Sequence, residues 1–441
     1  MAINFKYFAI IKRIKIPKRG RIRIILITLS IIIIYFLVNR HKGTINHTES
    51  AKTSETSFDK ERYSIWNPDN PDFYLREKCL FSNQPPQLDT FILKGLKSEK
   101  LLEVQYSLDE KIYKRLDLLF NRYHPRCGAA VVLEPHTGRI LTLFSYRNKN
   151  TPDSLLPPPG RNLALEAGYP CASIIKIVTA AAAMDLGLLN PLDMVYYNGR
   201  SHTLYKRQLN RETNKYANHI PFIKAFSKSI NPVFGKIGLY MLGKERIYDY
   251  AVRFGFNNSP WLLCDTSRVF MPPDSFATAE FACGFNNNTS LSALHGALIA
   301  SCAVNDGWAP KPTFFKKITH IGTGQDSCQS SEKWINPISP STANKLRHLM
   351  EETVLRGTAR KSFKTLTNER KYGNIRIGGK TGSLDSKLPK GRCDWFAGYG
   401  IDKQCPDKRA ALAVVTVHGK FWNIKSAQLA AEIFKIYFGN N

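Results

Sequence analysis

With 441 residues and 43% apolar content, the chain is long enough for more than one domain and a sizeable core, and it fits a globular protein. Sixty-three Lys and Arg against 35 Asp and Glu leave a formal net charge of +28. Such an excess favours anionic partners, yet no zinc finger, homeodomain or other nucleic-acid module accompanies it, which argues against nucleic acid and leaves anionic lipid or an acidic polymer.

The first 23 residues carry eight basic side chains (Lys6, Lys12, Arg13, Lys15, Lys18, Arg19, Arg21 and Arg23) and no acid. Ile24 to Val38 follows, uncharged and rich in Ile and Leu. It is short for a membrane span, and a signal-peptide core competes with that reading. Residues 39–44 offer no small-residue cleavage site, and Arg23 can snorkel to lengthen the span. The expectation is therefore a cytoplasmic basic tail at 1–23, an uncleaved transmembrane anchor at 24–38, and the body of the chain outside, by the excess of basic residues before the anchor. Residues 39 to about 62 are polar and read as a tether. Aromatics and prolines from 63 to about 95 show no periodicity, so 39–103 reads as linker plus a small N-terminal region.

From Ser107 to Tyr123, Leu108, Ile112, Leu116, Leu119 and Phe120 recur at helical spacing. A hairpin follows, with strands at 129–133 and 140–144 and a turn at Pro135-His-Thr-Gly138. The chain then reads mostly helical to about 305, with Leu294–Ala303 as a buried segment. Strand patterns return at 375–379, 395–399 and 410–417, and an amphipathic helix closes the chain at 425–438. Early and late strands with helices between them predict an α+β fold, an antiparallel sheet flanked by helices with an all-helical subdomain, preceded by the single transmembrane helix. Nine cysteines are scattered without zinc-site spacing, so no metal or cofactor is expected. Their odd number outside the cytosol leaves at least one free thiol, and a Cys393–Cys405 bridge across a hairpin stays open.

The stretch around which the chain is organised is Tyr169-Pro-Cys-Ala-Ser173-Ile-Ile-Lys176 and the apolar run to Met184. Lys176 is the only charge in a helix that is apolar almost all round, and a lone buried ammonium must be paired or lower its pKa. Ser173 lies one turn earlier on the same face, at a helix start where free N–H groups favour a developing oxyanion. Ser-x-x-Lys alone is weak: Ser57–Lys60 and Ser330–Lys333 repeat it in polar surroundings, and serine is a common N-cap. Two further motifs strengthen it. Ser229-Ile-Asn231 sits between helices, and Lys380-Thr-Gly382 lies on a strand whose Gly378 and Gly379 permit close approach. Cys171 has no nearby base and reads as a buried filler.

The three motifs, in this order, mark the serine penicillin-binding proteins and class A β-lactamases, and the chain from about Val104 to the end resembles penicillin-binding protein transpeptidase domains. The similarity extends to 105–109, to Val131–Leu141, to Ala225–Phe234, to Gly357-Thr-Ala359 and to Trp395-Phe-Ala-Gly-Tyr399. One departure is Cys171-Ala172 where the family usually has Pro-Gly before the serine. The resemblance implies a domain at 104–441 that acts on the D-alanyl-D-alanine end of a peptidoglycan stem peptide and is inhibited by β-lactams. Ser173 is then the nucleophile, Lys176 its base, Ser229 a proton relay and Asn231 a holder of Lys176 and the substrate amide. Lys380, Thr381, Gly382 and Ser383 bind the terminal carboxylate, and the N–H groups of Ser173 and Ser383 form the oxyanion hole.

The resemblance also implies a monofunctional D,D-transpeptidase in a bacterial inner (plasma) membrane. Its catalytic domain lies outside, an amine acceptor takes the acyl group, and a separate enzyme polymerises the glycan, because the roughly 65 residues between anchor and domain are too few for a polymerase. A D,D-carboxypeptidase shares all three motifs and is the alternative. A β-lactamase needs a deacylating carboxylate, which Glu245, Glu280 and Glu166 do not supply by spacing. A non-catalytic cell-wall scaffold would be expected to have lost a motif.

Overall fold

The computed structural model describes residues 105–439 apart from 160–161, 213, 261–263, 322–325 and 328–331, and describes backbone only at 63–66, 90–95, 101–104, 318, 320–321 and 326–327. The expected tail at 1–23, the anchor at 24–38 and most of the linker lie outside the described residues. Among the described residues no helix is long and apolar enough to cross a membrane.

In chain order the strands and helices that position the site begin with β1 (Tyr63–Trp66), β2 (Thr90–Gly95), β3 (Leu101–Tyr106), α1 (Glu110–Tyr123), β4 (Cys127–Leu133) and β5 (Ile140–Arg147). A helical stretch follows: α2 (Lys176–Asp185), α3 (Phe222–Ser227), α4 (Asn231–Lys236), α5 (Gly243–Arg253), α6 (Ser275–Cys283) and α7 (Ala293–Cys302). The chain closes with β6 (Phe315–Ile321), α8 (Pro340–Leu355), α9 (Arg360–Asn368), β7 (Ile375–Ser386), β8 (Gly391–Asp402), β9 (Arg409–His418) and α10 (Ser426–Gly439).

The main sheet has the order β7–β8–β9–β4–β5 and is antiparallel throughout. Late strands therefore join the early hairpin, which is why both ends of the domain build one layer. Its central strands are buried on both faces: β4 is buried at every position, and β9 is a near-continuous apolar run from Ala410 to Val417. Helix α7, apolar all round and buried at every residue, covers one face. At Gly296 an added Cβ would stand 2.9 Å from Ala413 Cβ, so the glycine sets how closely that helix lies on the sheet.

Helices α1 and α10 cover the other face. Helix α1 buries the stripe Ile112, Leu116, Leu119 and Phe120 that its spacing predicts, and Asp109 caps it by accepting from the N–H groups of Lys111 (2.9 Å) and Ile112 (3.1 Å). A second sheet, β1–β2–β3–β6 with the short strand Asp326–Ser327 at its far edge, links the N-terminal strands to the body, with β3 antiparallel to β6. Strand β7 is the edge of the main sheet, and the Ser173 segment runs beside it: an added Cβ at Gly382 would stand 3.1 Å from Ser173 N.

Candidate active site

Ser173 lies in a 3₁₀ turn, Ala172–Ile175, that feeds directly into α2, whose first residue is Lys176. The turn is held from three sides. Trp395 Nε1 donates to Pro170 O at 2.9 Å, while its ring meets Tyr169 edge-on at 5.9 Å. Cys171 N donates to Thr289 O at 2.8 Å, and Thr179 on α2 donates to Ala282 O at 2.8 Å. Ala172 takes φ +48°, left-handed backbone that glycine adopts freely and alanine at a cost of about 1 kcal/mol. Gly284, itself at φ +73°, lies against the carbonyl of Ala172, where an added Cβ would be 1.9 Å from that oxygen.

Lys176 is fully buried on α2 and its Nζ meets three oxygens: Ser173 Oγ at 2.7 Å, Asn231 Oδ1 at 2.7 Å and Ser229 Oγ at 3.3 Å. None of these partners carries a negative charge. Burial therefore pushes its pKa down to about 8, against about 10.4 for a free lysine, which puts a neutral amine within reach at physiological pH.

The second motif lies between two helices. Ser229 takes φ +57° two residues after the end of α3, and Asn231 opens α4, with Pro232 in its first turn where no N–H is needed. Asn231 Nδ2 donates to His202 O at 3.0 Å, which orients the amide so that its oxygen faces Lys176. The third motif comes from edge strand β7. Lys380 is fully buried; its Nζ donates to Ser229 Oγ at 2.9 Å and to Thr381 O at 2.8 Å, and burial together with the charge of Lys176 holds its pKa well below the usual range. Ser229 thus bridges two amines whose positive charges oppose each other, an arrangement in which a proton on one disfavours a proton on the other.

A cavity of about 490 Å³ opens on this network, lined by Ser173, Ser229, Asn231, Thr381, Gly382 and Ser383 among others. The structure brings all eight sequence-predicted residues together, with the two lysine side chains behind the wall rather than on it. Sequence reasoning missed other cavity residues: His202, Phe285, Arg392, Asp394, Trp422 and Lys425. Thr358, in the Gly357-Thr-Ala359 segment the sequence did single out, shares a short hydrogen bond with Thr381. Burial lowers the His202 pKa, as does the charge of Lys176, so its imidazole is neutral near pH 7. Asp394, the carboxylate among the described residues of the cavity wall, has its oxygen engaged by Ser426 N at 2.6 Å, at the start of α10. Neither Glu245, Glu280 nor Glu166 lines this cavity. Cys171 is buried with its thiol pKa pushed far up, and Cys393 (buried) and Cys405 (exposed) are both free.

The penicillin-binding protein transpeptidase domain, as a family model, matches residues 128–437. The chain belongs to the penicillin-binding protein transpeptidase family. Among curated relatives, this transpeptidase-family chain is 26% identical to the stage V sporulation protein D of Bacillus subtilis over 294 residues, covering 64% of this chain and 44% of that protein. It is 28% identical to penicillin-binding protein PbpB of Mycolicibacterium smegmatis over 324 residues, covering 68% and 47%. It spans about half the length of the curated relatives it matches. Its fold is similar to the crystal structure of PBPA from Mycobacterium tuberculosis, with a TM-score of 0.58 at 23% identity, over 76% of this chain and 80% of that one.

Proposed function

We propose that the chain is a serine D,D-transpeptidase of peptidoglycan, and the observation that carries this is the shared hydrogen-bond network in which Lys176 contacts Ser173, Ser229 and Asn231 while Lys380 meets the same Ser229. Ser173 Oγ attacks the carbonyl carbon between the two terminal D-alanines and gives its proton to the neutral Lys176 amine. The N–H groups of Ser173 and Ser383 receive the oxyanion. As the carbon–nitrogen bond breaks, Ser229 passes a proton from Lys176 to the departing D-alanine amine, leaving an ester on Ser173. An incoming amine then attacks that ester; Lys176 takes the proton the amine loses and returns it to Ser173 Oγ as the carbon–oxygen bond breaks. Asn231 holds Lys176 and the substrate amide, and Thr381, Gly382 and Ser383 take the terminal carboxylate with Lys380 behind them. A similar structure, that of penicillin-binding protein A from M. tuberculosis, is an imipenem acyl-enzyme complex, and we propose the same β-lactam chemistry here. The sequence of 1–38 supports a single-pass anchor in a bacterial plasma membrane with the domain at 104–441 outside, working beside a separate glycan polymerase.

A fluorescent penicillin should label the purified protein covalently, and Ser173→Ala should abolish the label. Equal labelling of that variant would remove the assignment. Transpeptidation is separated from D,D-carboxypeptidation by supplying a labelled D-amino acid: incorporation into product marks the first, release of D-alanine alone the second. A β-lactamase would instead lose the label within seconds to minutes of washing.

A further inference from the structure

The family resemblance implies that the Lys380 motif binds the substrate carboxylate, but the Lys380 ammonium is fully buried, committed to Ser229 Oγ and Thr381 O, and disfavoured as a charge by burial and by Lys176. Thr381 and Ser383 line the cavity, and hydroxyls alone leave an anion without a counter-charge. Arg392, on β8 beside the edge strand, supplies one. Its Nη2 donates to Ser383 Oγ at 3.0 Å, and it lines the same cavity. A guanidinium keeps its charge at any working pH and presents donors in a planar fork that matches a carboxylate.

The bland account is that Arg392 is a surface ion-pair partner of Asp385, 3.2 Å away. Asp385 is 83% exposed, so water screens that pair and it contributes little. Lys425, placed 5.2 Å from the Trp422 ring centre, is the other cation among the described residues of the wall, and Asp394 is engaged at the start of α10. Arg392 and Lys425 are therefore the Arg and Lys side chains among the described residues of the cavity wall.

Resting on the transpeptidase reading above, we infer that Arg392 binds the α-carboxylate of the residue that leaves and then of the amine that replaces it, so that the enzyme selects acceptors whose attacking amine sits one carbon from a carboxylate. The second half follows from the chemistry of the ester. The new carbon–nitrogen bond forms along the path on which the old one broke, so the acceptor enters the subsite the leaving D-alanine vacated. An amine and a carboxylate one carbon apart reproduce both groups of that residue, whereas an isolated alkyl amine reproduces one.

The test uses the full chain in detergent, a diacylated peptide ending in D-alanyl-D-alanine, and the same peptide ending in D-alaninamide, with free D-alanine or D-alaninamide as acceptors and mass spectrometry as readout. The wild type should favour the acid over the amide, as donor and as acceptor. Arg392→Met should reduce each acid-to-amide ratio by about 10- to 100-fold, the range of a charge-assisted hydrogen bond. Arg392→Lys should recover part of it, and Asp385→Asn should leave both ratios within about twofold. Equal use of acid and amide by the wild type, or an unchanged ratio in Arg392→Met, overturns the inference. The wild-type ratios decide the matter if Arg392→Met does not fold. Failure of the wild type to be acylated by penicillin at Ser173 would instead overturn the reading on which the inference rests, so the two failures are distinguishable.

Discussion

The buried lysine makes acylation depend on pH by an amount that its surroundings set. Lys176 has a pKa near 8 because burial disfavours its charge and no carboxylate offsets that cost. A shift of that size from about 10.4 corresponds to roughly 3 kcal/mol. With the neutral amine as base, the reactive fraction is about 1% at pH 6, about 10% at pH 7 and half at pH 8, whereas an unshifted lysine would offer less than about 0.1% at pH 7. The second-order rate constant for acylation by a penicillin should therefore rise about 50-fold between pH 6 and pH 8 and level off above pH 9. Burial, with the charge of Lys176, moves the His202 titration downward, away from the rise expected near 8. Asp394 titrates near 7 on the same cavity wall, so the profile should also be run in Asp394→Asn, where the rise centred near 8 should persist. Stopped-flow quenching of a fluorescent penicillin gives the rates directly. A flat profile from pH 6 to 9, or a rise still steepening above pH 10, would refute the lysine as a shifted base.

Other outcomes follow from single contacts. Gly284→Ala would put a methyl 1.9 Å from the Ala172 carbonyl at a residue with φ +73°, so it should cost about 1–3 kcal/mol in denaturant unfolding and slow acylation at least tenfold. Ala172→Gly removes a left-handed alanine but also a buried methyl and adds unfolded-state freedom, so the net change should stay within about 1 kcal/mol; a loss above about 2 kcal/mol would mean the backbone is not strained there. Burial raises the pKa of Asp394 to about 7 from about 3.9 in an unfolded chain, so the folded state binds more protons between those values and its stability falls as pH rises through that window. Asp394→Asn keeps an acceptor for Ser426 N and should stabilise the protein at pH 8 by up to about 4 kcal/mol while changing little at pH 4, measured by urea unfolding at both.

Periodicity exposed the elements whose burial is local and regular. Helix α1 carries its apolar stripe in the sequence, and the late strands are long apolar runs because the sheet is covered on both faces. The pairing of β3 with β6 was not legible, since it joins segments about 200 residues apart and neither carries a signal for the other. Nor was the 3₁₀ start at Ala172, because the sequence does not distinguish its hydrogen bonds from those of a helix N-terminus. Arg392 was hidden by register. Once β7 and β8 turn at residues 387–390, Asp385 falls opposite Arg392 and Ser383 opposite Asp394, which sets Arg392 diagonal to Ser383 on one face. Alternation along β8 gives that face, but only the turn fixes which residues it meets.

The two serine-bearing segments share a physical device. Ala172, just ahead of the first serine, and Ser229 itself both take left-handed backbone without being glycine, and each is fixed by a glycine from elsewhere in the chain. Gly284 leaves room for the Ala172 carbonyl, and Gly357 leaves room for the Ser227 carbonyl, where an added Cβ would be 2.4 Å from the oxygen; Thr358 N then donates to that same oxygen at 3.1 Å. Unfavourable backbone at a reactive group persists only where its surroundings over-determine it. The glycines are therefore part of how the Ser173 and Ser229 hydroxyls come to meet one lysine, although neither glycine touches that lysine. This accounts for Gly357-Thr-Ala359 as a positioning element: it sets the loop of the second motif through Ser227 and, through the Thr358 hydroxyl, the strand of the third through Thr381.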